Sequence, residues 1–74
     1  MSATSKSEQM PTHDYRAIIY RTEDGRPKAI RPKNSAEDTA EHMGDMIDHH
    51  RESGYATGGH VEVWVRDIGW VVED

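Results

Sequence analysis

The sequence predicts an α+β domain ordered β-β-α-β-β, with one amphipathic helix packed on a four-stranded, largely antiparallel sheet. Two runs rich in β-branched and aromatic residues, "DYRAIIYRT" and "HVEVWVRD", each lead into a turn signal and a short return segment. Between them, "NSAEDTAEHMGDMIDHHRESG" carries apolar residues at helical spacing together with start and stop signals. A chain of 74 residues has room for one small domain.

The first twelve residues, "MSATSKSEQMPT", are small and polar without a hydrophobic period, and read as a disordered tail ahead of a single domain over 13–74. A domain of that size buries only about 60% of the surface of its unfolded chain. After "DYRAIIYRT", the pair Asp24-Gly25 marks a hairpin turn, because glycine accepts the positive φ such turns need. "KAIRP" is the return strand. Pro27 and Pro32 bracket it, and because proline donates no ladder hydrogen bond they assign this strand to an edge.

In the helical segment Ser35 is the expected N-cap, with Asp38 three residues on in a near-capping-box pattern. Glu37, Asp38 and Glu41 favour the positive end of the helix dipole, Arg51 suits the last turn, and Gly54 supplies a left-handed stop. Ala36, Ala40, Met43, Ile47 and His50 recur every four and three residues, which is one face. Gly44 interrupts it at a cost of about 1 kcal/mol against alanine, unless something must approach closely there. "YATGG" reads as loop. "HVEVWVRD" alternates, with Val61, Val63 and Val65 on one face and Glu62, Trp64 and Arg66 on the other. "DIG" turns the chain, with Gly69 expected left-handed, and "WVVED" closes the sheet.

Charge is distributed unevenly. The net charge is −5, yet residues 14–33 hold six basic side chains against three acids, and residues 34–74 hold ten acids against Arg51 and Arg66. Such two-ended fields steer encounters and select partners more than they fix folds. There are no cysteines, which excludes a disulfide and a thiolate zinc site and fits a reducing compartment. No apolar run approaches the roughly 20 residues needed to span a bilayer. The N-terminus has no secretory h-region, so the expectation is a cytoplasmic protein without a membrane role.

The segment "EHMGDMIDHH" invites a metal reading through His42, Asp45 and His49, which share one flank of the helix. Two turns separate His42 from His49, about 10 Å along the axis, too far for one ion without large convergence. The preferred reading pairs Asp38 with His42 and Asp45 with His49 as solvated i, i+4 neighbours, with His50 at the core edge. No metal or cofactor is expected. "GYATGGH" lacks the G-K-[ST] ending of a phosphate loop, and neither a G-x-S-x-G elbow nor a cysteine nucleophile is present, so the chain reads as a non-enzyme.

Two features point to binding instead. Asp38, Glu41, Asp45, Asp48 and Glu52 form an acidic stripe opposite the apolar face, a spacing that admits mimicry of nucleic acid towards a DNA-binding defence protein. On the sheet, the valines of the third strand belong under the helix. Trp64 then points away from it, accompanied by either Ile18 with Tyr20 or Tyr15 with Ile19. A face carrying Trp64, Tyr20, Ile18, Arg66 and Trp70 is the candidate docking surface, since tryptophan, tyrosine and arginine anchor interfaces. The same face, with Arg16 and the basic first hairpin, would be where single-stranded nucleic acid could stack, the less favoured partner for an acidic chain.

The pattern "YRAIIYRTEDGR", an acidic helix and "HVEVWVRDIGWV" resembles small proteins of actinobacterial phages over residues 14–73. The first strand and its D-G turn are also similar to the N-terminal hairpin of HicB-type antitoxins, although the third strand before the helix and a DNA-binding tail are missing. The first resemblance implies phage encoding, and with it the host cytoplasm, but no common activity; the expectation of a modulator of a host protein rests on the candidate docking surface. Neither supplies site residues. The expectation is therefore a small protein-interaction module whose partner is a foreign protein or a second copy in a homodimer.

Overall fold

A computed structural model describes residues 12–73. The proposed N-terminal tail lies almost wholly outside the described residues. The elements are β1 (Tyr15–Arg21), β2 (Pro27–Ile30), a 3-10 turn (Ser35–Glu37), α1 (Ala40–Glu52), β3 (Ala56–Val65) and β4 (Gly69–Val72). All strand pairs are antiparallel, in the order β2-β1-β3-β4, so the two hairpins are joined through their first strands. The α+β class and the β-β-α-β-β order are as expected.

Each hairpin turns where glycine permits it. Gly25 sits at φ 71°, its N–H donates to the Arg21 carbonyl at 2.7 Å, and the Asp24 carboxylate accepts from the Arg26 N–H at 3.0 Å. In the second hairpin both Asp67 (φ 71°) and Gly69 (φ 108°) are left-handed. β2 is an edge strand, in keeping with Pro27 at its first position and Pro32 just beyond its end.

The helix starts later than expected. Ser35 opens the 3-10 turn, which Asn34 caps by accepting from the Glu37 N–H at 3.1 Å. The cap of α1 is Thr39, extended at φ −140° and ψ 153°, with its hydroxyl accepting from the His42 N–H at 3.0 Å. The reason lies in Asp38. Its carboxylate accepts the N–H groups of Asp14 (3.0 Å) and Tyr15 (2.8 Å), and this clamp on the start of β1 holds residue 38 out of helical geometry. At the other end Gly54, at φ 85°, stops the helix as expected.

The core lies between α1 and the strands β1 and β3. Ala17, Ile19 and Met43 are fully buried, Ile47 and Ala56 nearly so, and Tyr15, Ile30, Met46 and Val61 pack around them. Residues "ATGG" belong to β3 rather than to a loop. Ala56 is a core residue opposite Arg21, and Gly58 and Gly59 pair with Tyr20 and Ile19. Gly59 is required by close approach: a Cβ there would collide with the Ile18 carbonyl oxygen. A register shift beside Tyr20 and Arg21 leaves Thr57 as the extra residue.

Candidate interaction face on the outer side of the sheet

Register fixes which side chains share the face turned away from α1. Residues paired across antiparallel strands point to the same side, and successive residues alternate. Because Ala17, Ile19 and Val61 pack under the helix, the opposite face carries Arg16, Ile18 and Tyr20 from β1. Glu62 (opposite Arg16), His60 (opposite Ile18) and Trp64 come from β3. Trp70 and Val72 of β4 stand opposite Trp64 and Glu62. Of the two arrangements considered, Ile18 with Tyr20 accompanies Trp64.

These side chains form a continuous ladder. The Tyr20 hydroxyl lies 3.3 Å from His60 Nδ1, and His60 Nε2 lies 2.9 Å from Glu62 Oε2. A carboxylate only accepts, so His60 must carry a proton on Nε2; in the neutral ring Nδ1 then accepts from the tyrosine. Glu62 Oε1 receives Arg16 Nε at 2.8 Å and Nη2 at 2.7 Å. The Arg16 guanidinium sits 4.2 Å from the centroid of the Trp70 ring, and Trp70 meets Trp64 edge-on at 5.7 Å.

Glu62 is the electrical centre of the ladder. Burial pushes its carboxyl up, but hydrogen bonds from His60 and Arg16, reinforced by the charge of each, outweigh it and hold the group below its ordinary value. Trp64 Nε1 is buried with no hydrogen-bond partner. A buried unpaired donor costs about 1–3 kcal/mol, so the indole is held by packing alone.

The chain matches no family model, no curated protein and no solved structure.

The other candidates are distributed unevenly. Ile18 keeps only 8% of its surface and offers a partner little area. Tyr20 and Val72 are exposed, and Trp64 and Trp70 are half-buried. Arg66 is exposed beyond the end of β3, in the turn, because strand pairing stops at Val65. His60 and Glu62 did not figure among the sequence candidates for this face. The period-two spacing of 60, 62 and 64 contains them, but the pairing of β1 with β3 was needed to set them against Tyr20 and Arg16.

On the helix, Glu41, Asp45, Asp48 and Glu52 are exposed along one side. Asp38 is not part of that stripe: it is occupied by the β1 backbone and keeps 14% of its side-chain exposure. His42 Nε2 accordingly faces Glu37 at 3.8 Å rather than Asp38. His49 stacks edge-on against His50 at 5.7 Å, and His50 is half-buried against the Tyr55 ring at 5.5 Å. Among the described residues no group of three His, Asp or Glu side chains is placed to hold a metal ion, and no helix is long and apolar enough to cross a membrane.

Proposed function

We propose that this protein is a non-catalytic interaction module that docks on a protein partner through the outer face of its sheet. The observation that carries this reading is the ladder from Tyr20 through His60, Glu62 and Arg16 to Trp70 and Trp64. It concentrates on one face the three residue types that dominate interface energetics. Arg16 is clamped between a carboxylate and an indole, so little rotamer freedom is lost when a partner covers it. The Trp64 N–H is buried, so a partner would meet the exposed part of the indole ring rather than its donor.

The same geometry argues against nucleic acid at this face. The charge of Arg16 is already engaged by Glu62, and the central carboxylate would repel phosphate. Mimicry of nucleic acid by the helix loses Asp38 from its stripe. A second copy remains a partner of the proposed kind, through back-to-back sheets.

The test uses site-specific photo-crosslinkers at exposed Val72 on the outer face and, as a second probe reporting a different surface, at exposed Arg51 on the helix, in cells and in purified protein. Crosslinks from Val72 to a defined protein or to a second copy, lost in Trp64→Ala while that variant remains folded at the assay temperature, are the expected result. Partner crosslinks confined to the Arg51 probe would remove the outer face from consideration.

A further inference from the structure

β3 is longer than the strand beside it. It runs for ten residues, Ala56–Val65, whereas β4 pairs only with Glu62–Val65, and the last contact is the Glu73 N–H donating to the Val61 carbonyl at 2.8 Å. Over Ala56–His60 the strand has β1 on one side and, among the described residues, no strand on the other. Val61 and Val63 direct their backbone groups towards β4, and the alternation carries on to Gly59. The free edge therefore offers an N–H and a carbonyl at Gly59, beside the bulged Thr57.

α1 roofs this edge and leaves a groove of about 500 Å³ between them. Its floor and sides are Ile47, Gly44, Gly58, Gly59 and Val61. Gly44 and Gly58 face open space, with nothing inside 4 Å of where a Cβ would stand. The wall is charged in one sense. Glu41, Asp45 and Asp48 line the groove and Glu52 extends the wall, against Arg51 alone, which is loosely paired with Asp48 at 3.8 Å.

We infer that this groove is a strand-addition site for an extended segment of a partner protein carrying lysine or arginine at alternate positions. The backbone of the segment would continue the sheet along Thr57–His60 in line with β4, about four residues over roughly 13 Å. Its basic side chains, all on one side of an extended chain, would reach Asp45, Asp48 and Glu41. The outer sheet face described above is a separate surface, and this inference does not depend on it. A second copy is the poorer occupant. Pairing two β3 edges about a twofold axis sets the acidic walls of both helices against each other. The chain's own basic edge strand, β2, carries Pro27 within it and Pro32 just beyond, and gives few donors.

The probe is a synthetic ten-residue peptide alternating lysine and valine, titrated into the ¹⁵N-labelled full chain. Controls are the glutamate–valine peptide and the lysine–valine peptide methylated on alternate backbone nitrogens. The expected result is a saturable set of shifts centred on Thr57–Val61 and on Gly44–Asp48, with slowed exchange of the Gly59 N–H. Affinity should fall at least tenfold in Asp45→Asn/Asp48→Asn, and backbone methylation should abolish binding. Gly44→Leu, which fills the groove from the helix side, should lose binding with its spectrum otherwise folded; if it fails to fold, the charge variants and the methylated peptide decide. Equal binding of the methylated peptide would reduce the site to nonspecific charge and overturn the inference. So would equal binding of the glutamate peptide, shifts on the Trp64–Trp70 face alone, dimerisation through β3, or no saturation at millimolar peptide.

Discussion

Removing the carboxylate at the centre of the outer-face ladder gives the sharpest test of how that face is held. Glu62→Ala strips Arg16 of a hydrogen bond at 2.8 Å and an ion-pair contact at 2.7 Å, and His60 of a hydrogen bond at 2.9 Å. The two charged side chains retain 21% and 16% exposure, so the pair is neither a solvated surface contact nor a sealed one. Solvated pairs contribute about 0–1 kcal/mol, and breaking a buried one costs about 3–5 kcal/mol. Two guanidinium nitrogens converging on one carboxylate oxygen and the stacking on Trp70 argue for the middle, about 2 kcal/mol, with Arg16→Ala costing a similar amount. A domain of this length has roughly 3–9 kcal/mol of stability in all, and 1 kcal/mol moves Tm by about 4–8 °C. Glu62→Ala should therefore melt some 10 °C early, by that conversion. Urea unfolding of both single variants and the double variant gives the coupling energy directly, expected near 1–2 kcal/mol. The pH dependence follows from the lowered carboxyl. The pair's contribution is complete above the ordinary value of 4.5 and declines as pH falls through the lower, folded-state value. The destabilisation by Glu62→Ala should accordingly be full at pH 6 and shrink in strongly acidic solution. A coupling energy under about 0.3 kcal/mol, of the order expected for independent sites, would show that the ladder does not stiffen the face, and the argument from a preorganised Arg16 would fail.

Three further outcomes follow from single positions. Gly59→Ala drives a Cβ into the Ile18 carbonyl, a backbone atom that cannot yield, and should cost about 2–4 kcal/mol in denaturant unfolding, with loss of β1–β3 amide protection. Gly44→Ala, in a helix with open space beside it, should instead stabilise by about 0.5–1 kcal/mol, read as a higher Tm. Asp38→Ala removes both acceptors of the Asp14 and Tyr15 N–H groups and should cost about 1–3 kcal/mol, with faster hydrogen exchange at Tyr15; exchange unchanged at that amide would contradict the clamp.

Most of the fold was legible because its signals are local. Asp24-Gly25 and Gly69 announced turns through φ, the prolines around β2 announced an edge, and the alternation from His60 to Arg66 placed Trp64 opposite the valines. The misreadings share one cause. Ser35 has the chemistry of a cap, but the helix start moved to Thr39 because Asp38 serves a strand more than twenty residues away. "ATGG" has loop composition, yet it is strand because two backbones approach closely at Gly59. The candidate face was half visible. Trp64, Trp70 and Tyr20 were found by period and residue type, whereas Glu62 and His60 acquire their role only from a register linking residue 16 to residue 62.

The central pairing of β1 with β3 also sets when this molecule can fold. Each hairpin is a local structure, but a two-stranded hairpin is marginal by itself in water. The sheet becomes self-supporting only when β1 finds β3, whose partners lie some forty residues downstream in the chain. At synthesis rates of about 5–20 residues per second, Ala17, Ile18 and Ile19 are made a few seconds before the strand that completes their sheet. Closing that long loop comes before the contacts that reward it, so the folding rate is governed by non-local pairing despite the small size of the domain. During that interval the newly made β1 is the segment most in need of protection, and the charged and proline-bearing residues around β2 are its nearest cover.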